Sequence, residues 1–148
     1  MSDLPIPRGF APHFRRSGFT DPWEPLYSST SDNAVIIGVR AGPAHVNSRG
    51  FVHGGLISAL ADNAMGLSCG LKLDGSGRLV TVSLAVDFLA MARVGQWLAF
   101  TTEFIKAGKT LCFAQCFVTA GDEVRARANA TFRTAPRIPA EPGRDNLA

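Results

Sequence analysis

The stretch HVNSRGFVHGGLISALADNAMGLSCGL, residues 45–71, decides how the rest of the chain is read. From Gly54 to about Leu71 it is small and apolar. Leu56, Ile57, Leu60, Ala61, Ala64, Met65, Leu67 and Ser68 leave no broad charged face, which is the pattern of a buried helix. Two glycines open it and one carboxylate, Asp62, interrupts it. A lone carboxylate removed from water costs several kcal/mol or takes up a proton, so Asp62 either faces a solvent gap or needs partners or a chemical role; the absence of any other acid in the helix favours the second.

Downstream, apolar and polar residues alternate in four runs, about 78–91, 96–106, 110–120 and 123–134, punctuated by Gly95, Gly108 and Gly121. The last is plainest: Val124, Ala126, Ala128, Ala130 and Phe132 alternate with Arg125, Arg127, Asn129, Thr131 and Arg133. In the first, Val80, Val82, Leu84, Val86, Phe88 and Ala90 form one apolar face. Strands joined by short glycine turns pair antiparallel, and one further strand, 33–40, precedes the helix. The reading is an α+β domain in which a curved antiparallel sheet of five to six strands wraps one long central helix. Only a curved sheet covers most of a helix's circumference by itself.

The 148 residues, 46% hydrophobic, suit a single core. Residues 31–135 are expected to form the domain, with 1–30, which hold five prolines, as an N-terminal arm and 136–148 as a flexible tail. No apolar run approaches the roughly 20 residues that cross a bilayer, and the first residues lack the basic and apolar regions of a secretory signal. A cytoplasmic protein with no membrane partner is expected. Cys69, Cys112 and Cys116 are odd in number and lack metal-type spacing, so they read as reduced, buried thiols. The net charge of +3 comes from scattered Arg and Lys, which argues against nucleic acid and suits an anionic small ligand.

Around Asp62 the sequence places candidate chemistry. Gly54 and Gly55 leave room for a ligand to reach the unpaired N–H groups of a first helical turn, where the helix dipole favours an oxygen carrying negative charge. That is what an oxyanion hole needs, although two glycines also serve a tight loop-to-helix junction. Asn47 can donate to a carbonyl or to water, or can be a turn residue; His53 can touch a leaving group, or can cap the helix. His45 reads as structural. Ser58 and Ser68 lie within the helix without a nucleophile elbow, and the three histidines show no metal spacing. Phe88, Phe100, Phe104 and Phe113 sit at strand positions where core packing is the expected role, with the lining of an aromatic or medium-chain acyl pocket as the alternative.

Taken jointly, N-x5-HGG-x4-L-x-D from Asn47 to Asp62, then VTVSLAVDFL and a GKT turn, resembles the PaaI-type hotdog-fold acyl-CoA thioesterases of the 4-hydroxybenzoyl-CoA thioesterase superfamily. The likeness covers roughly 33–133. It implies hydrolysis of an acyl-CoA without metal or bound cofactor. Asp62 would activate water or attack directly, Gly54, with Gly55 beside it, would donate to the thioester oxygen, and Asn47 would polarise the carbonyl or place the water. His53 would support the loop and the sulfur side, and Thr81 would steady the acid. One departure is DFLAM at 87–91, where many relatives read DFLRP. It leaves the CoA phosphates to other cations, with Arg93, Lys106, Lys109 and Arg133 available.

Geometry adds an expectation about assembly. Asp62 lies eight residues beyond Gly54, about 12 Å along a helix, too far to serve a carbonyl held by its own Gly54. A homodimer at minimum follows from sharing the site across a two-fold axis, and the family resemblance adds the pairing of dimers into a tetramer as a further expectation. Two other functions fit the same fold: a non-catalytic acyl-CoA binding or sensing module, and an enoyl-CoA hydratase.

Overall fold

The computed structural model describes residues 4–73 and 78–135; the tail expected at 136–148 lies outside the described residues. In chain order the elements are β1 (Ala11–Pro12), β2 (Tyr27–Thr30), β3 (Val35–Arg40), α1 (Gly54–Lys72), β4 (Arg78–Phe88), β5 (Trp97–Ala107), β6 (Leu111–Ala120) and β7 (Glu123–Ala135). Short 3-10 turns cover Asp21–Trp23 and Pro43–His45. All strands join one antiparallel sheet in the order β1-β2-β3-β5-β6-β7-β4, with α1 against its inner face. This is the hotdog fold. Among the described residues the arm raises the strand count to seven by supplying β1 and β2. Among the described residues, no helix is long and apolar enough to cross a membrane.

Helix α1 begins where His53, in extended conformation, accepts the Gly55 N–H on Nδ1 at 2.8 Å, and Lys72 lies in its last turn, at the negative end of the dipole. Leu56, Ile57, Leu60, Ala61, Ala64, Met65, Ser68 and Cys69 are buried against the sheet. Truncating one of these large side chains, such as Leu60, would cost roughly 2–5 kcal/mol. The buried Ser68 hydroxyl is satisfied by the Val35 N–H at 3.0 Å. The helix is not enclosed on every side. Gly55 is exposed, and Ser58, Ala59, Asp62, Asn63, Gly66 and Gly70 are only partly covered, because the sheet ends at β4 and leaves this flank open. Asp62 therefore stands at the border of the core and not inside it.

Three bulges redistribute the faces that alternation predicts. Thr81 pairs with Phe132 and Ser83 with Thr131, so Val82 is an extra residue. One inserted residue reverses the faces on either side of it. Val80 therefore shares the outer face with Arg133, while Thr81 turns toward the helix with Phe132. Leu84, Val86 and Phe88 keep the inner side, opposite Ala130, Ala128 and Ala126. A second bulge, at Glu103, puts Phe104 outside and Ile105 inside. A third, at Arg125, turns Val124 outward beside Thr119. Of the four phenylalanines expected in the core, only Phe100 is there; Phe88, Phe104 and Phe113 are exposed.

Cys112 and Cys116 share the inner face of β6, and Cys69 meets them from α1. Burial pushes the Cys116 thiol up to about 12, with nearby Glu103 adding to it; burial and the neighbouring Cys112 push Cys69 up as well. All three behave as core filling.

The arm is bolted to the outer face at Gly38. The rings of Phe10 and Trp97 meet edge-to-face at 5.1 Å over this residue. Arg40 lies 5.3 Å from the Trp97 ring centroid and donates to the Pro5 carbonyl at 2.9 Å. A Cβ at Gly38 would collide with both rings. Gly38→Ala is expected to cost about 1–3 kcal/mol by overpacking and to make the arm a target for limited proteolysis. A thermal melt combined with mass analysis of the fragments checks this.

Candidate functional site

The loop between the Pro43–His45 turn and α1 is held at several points. Val46 bridges Val52, Phe51 bridges Arg93, and the Val52 N–H reaches the Ala92 carbonyl at 2.8 Å. Inside this loop Asn47 takes the turn role that its sequence context left open. Its Oδ1 accepts the N–H groups of Arg49 at 2.9 Å and Phe51 at 3.2 Å, so it is a turn residue. Those bonds fix the amide plane and leave Nδ2, a donor, uncommitted among the described residues.

His53 is the helix cap. Because Nδ1 accepts from Gly55, the ring proton sits on the exposed Nε2. The Gly55 amide is thereby used within the chain, and a Cβ there would lie 2.9 Å from the imidazole Nδ1, so this glycine makes room for the cap. The Gly54 N–H has no acceptor among the described residues and stands at the positive end of the helix dipole. The ring of Phe88 lies over it: a Cβ on Gly54 would come 3.1 Å from the ring's Cζ. Phe88 is 56% exposed at this tip, away from the core packing expected of it.

Farther along the open flank, the Thr81 hydroxyl donates to Asp62 Oδ1 at 2.8 Å. The bulge at Val82 makes this contact possible by turning Thr81 to the helix side. Both helix serines are committed elsewhere, Ser58 to the Gly54 carbonyl at 2.8 Å and Ser68 to Val35. His45 is structural, as expected: Nδ1 accepts the Gly42 N–H and Nε2 donates to the Trp23 carbonyl, each at 2.9 Å.

The structure brings Asn47, His53, Gly54 and Gly55 together at one end of α1, and Asp62 with Thr81 in a second group. Of the four cations offered for phosphates, Arg93 lies beside the loop, its guanidinium 4.9 Å from the Phe51 ring centroid. Lys106 and Arg133 pair with Phe113 and Leu111 near the β5–β6 turn, which Lys109 joins through its carbonyl bond to Thr134. The departing segment 87–91 is anchored by Arg125, whose carbonyl accepts from Leu89 and Ala90 and whose guanidinium donates to the Met91 carbonyl.

A single helix in a curved antiparallel sheet, with an open amide at the helix tip and an acid on its flank, defines a hotdog-fold protein with a polar site on the helix. The family model of the thioesterase superfamily matches residues 49–131. The chain is 34% identical over 128 residues to a Pseudomonas aeruginosa protein described as an esterase, covering 86% of this chain and 96% of that one. It is 30% identical over 93 residues to human acyl-coenzyme A thioesterase 13, 62% of this chain and 64% of that protein. The phenylacetic acid degradation protein PaaI of Thermus thermophilus, solved as a mutant, shares the fold with a TM-score of 0.70 at 18% identity, over 79% of this chain and 98% of that one. The chain belongs to the thioesterase superfamily and is a thioester hydrolase.

The hydrogen bond from Thr81 is expected to matter through Asp62. Thr81→Ala should lower kcat for thioester hydrolysis about tenfold with little change in KM, the scale of one hydrogen bond to a charged group. Thr81→Ser should restore it. Steady-state kinetics of the pair separates this positioning role from general loss of structure.

Proposed function

We propose that the protein hydrolyses an acyl-CoA to the free acid and CoA at a site assembled from two chains. The Gly54 N–H and Asn47 Nδ2 of one protomer take the thioester oxygen and Asp62 of its partner acts on the carbonyl. The observation that carries this reading is that each group is unfinished where it stands. The amide of Gly54 lacks an acceptor, and the carboxylate of Asp62, oriented by Thr81, lies on an uncovered flank. Along one helix the two are about 12 Å apart.

The surface between them supports the pairing. Strand β4 is an eleven-residue sheet edge with unpaired backbone groups, and Val82, Leu84 and Phe88 are exposed along it. A long apolar edge of this kind is a template for another strand. An antiparallel β4–β4 contact about a two-fold axis would extend the sheet and set the open, small-residue flanks of the two helices side by side. The homodimer is the minimum assembly this requires.

In this arrangement Asp62 takes a proton from water as the water oxygen adds to the carbonyl carbon. The negative charge reaching the former carbonyl oxygen is met by the Gly54 N–H and the helix dipole. Collapse breaks the carbon–sulfur bond, and the proton held by Asp62 returns to the CoA thiolate. A carboxylate attack that forms a mixed anhydride, then hydrolysed by water, uses the same residue. The His53 Nε2–H stands at the loop end, where the sulfur would lie. No metal or bound cofactor enters either route. Arg93, beside the Asn47 loop, is the cation of choice for a CoA phosphate. The name of the human relative supports CoA as the thiol carrier.

Asp62→Asn keeps the side chain's size and its acceptor for Thr81 while removing the base. It is expected to lower turnover of acyl-CoA by at least a hundredfold with the melting temperature nearly unchanged. Free-thiol release measured beside a thermal melt checks this. Undiminished hydrolysis by the variant would remove Asp62 from the mechanism.

A further inference from the structure

Beside the tip of α1 is a cavity of about 340 Å³ whose walls include Phe19, Trp23, Val46, His53, Gly55 and Leu56. We propose that this recess binds the acyl group of the substrate and that the N-terminal arm, through Phe19 and Trp23, selects compact apolar acyl groups over acetyl. The inference rests on the thioesterase reading above and adds the acyl class to it.

Position is the first argument. His53 and Gly55 flank Gly54 in the chain and line the cavity. A thioester whose oxygen lies on the Gly54 N–H carries its acyl chain on the same carbonyl carbon. That chain begins within two bonds of the site, and the recess is apolar surface within its reach.

The chemistry of the walls is the second. The Gly55 N–H is taken by His53, and both nitrogens of His45 are bonded within the protein. An apolar occupant therefore strands neither the Gly55 amide nor His45, while the His53 Nε2–H and the Trp23 indole N–H stay available for a polar substrate atom. A few placed polar groups in an apolar recess of roughly 300 Å³ or more is the usual make-up of a small-molecule site.

The third argument is the arm itself. Phe19 is 70% exposed while its ring meets Trp23 edge-to-face at 5.0 Å. A large aromatic held in place yet left in water gains burial only when something covers it. The segment beneath it is preorganised: His45 donates to the Trp23 carbonyl, Trp23 N–H reaches the Thr20 carbonyl at 2.9 Å, and Arg16 bonds Asp21 at 3.2 Å. These residues precede the family-matched segment 49–131. The arm can thus set acyl preference without altering the residues proposed for the chemistry.

The test compares kcat/KM for 3-phenylpropanoyl-CoA and acetyl-CoA in the wild type, in Phe19→Ala, which removes a wall, and in Ala44→Phe, which fills the recess from Ala44 in its lining. The wild type is expected to favour the aryl substrate at least tenfold, and each variant to lower that ratio severalfold. In parallel, the full-length protein carrying 5-fluorotryptophan is titrated with the non-hydrolysable thioether S-(3-phenylpropyl)-CoA. The Trp23 fluorine resonance should shift while that of Trp97, on the outer face, stays. Hydrolysis with a ratio indifferent to both variants and a silent Trp23 overturns the inference and leaves the thioesterase reading standing. A shifted Trp23 with no thioester hydrolysed supports the recess and defeats the proposed reaction.

Discussion

Eight residues of one stiff helix separate the backbone of Gly54 from that of Asp62 by a rise of about 12 Å, and the proposed chemistry is shaped by that separation. In the proposed reaction the helix tip would offer an N–H and a dipole to developing negative charge. The flank would offer a carboxylate to water. Neither can reach the other's atom, because a packed helix does not bend by that amount. In the proposed dimer a second copy related by a two-fold axis would close the gap twice over, giving two sites from two incomplete chains. The open flank of small residues and the exposed apolar edge of β4 are the surfaces such a contact would bury.

The bulge at Val82 is the local device that suits the fold to this use. A regular strand would alternate Thr81 away from the helix and put Val80 and Val82 toward it, giving a better apolar face and a free-swinging acid. The extra residue costs β4 part of its inner face, since Val82 is 59% exposed, and in return turns a hydroxyl onto Asp62. Stability is drawn instead from the continuous inner faces of β5, β6 and β7 against α1. Similar economy governs the loop, where Asn47 and His53 each use one polar atom to hold the backbone and leave another free.

Much of this was legible in the sequence, for physical reasons. The helix expected at 54–71 spans Gly54–Lys72, and the strand expected at 110–120 spans Leu111–Ala120, because strong periodicity bounded by glycine leaves few alternatives. The bulges were not legible. Each is one residue inserted into otherwise regular alternation, so the pattern assigns Val80, Val124 and Phe104 to the wrong face while still naming the right strands. The partial exposure of Asp62 could not be decided from sequence either, because the reach of a sheet around its helix is set by strand order and not by the helix sequence. The arm has no period to read; its path depends on distant partners such as Gly38 and Trp97, which meet only in the folded chain. The grouping of Asn47, His53 and Gly54 was readable because those residues are neighbours along the chain.

The central claim, a site shared between chains, is tested most directly by mixing two crippled proteins. Asp62→Asn removes the acid. Gly54→Pro removes the amide hydrogen at the first helical position, where proline is tolerated; the preceding His53 already has the extended backbone that proline requires, and the exposed Phe88 ring is free to move aside. After subunit exchange, half of the dimers pair one chain of each kind and hold one intact site of two. Equal mixing of the two nearly inactive proteins should therefore restore about a quarter of wild-type turnover. Hetero-oligomers verified by native mass spectrometry that stay as inactive as their parents would contradict a shared site.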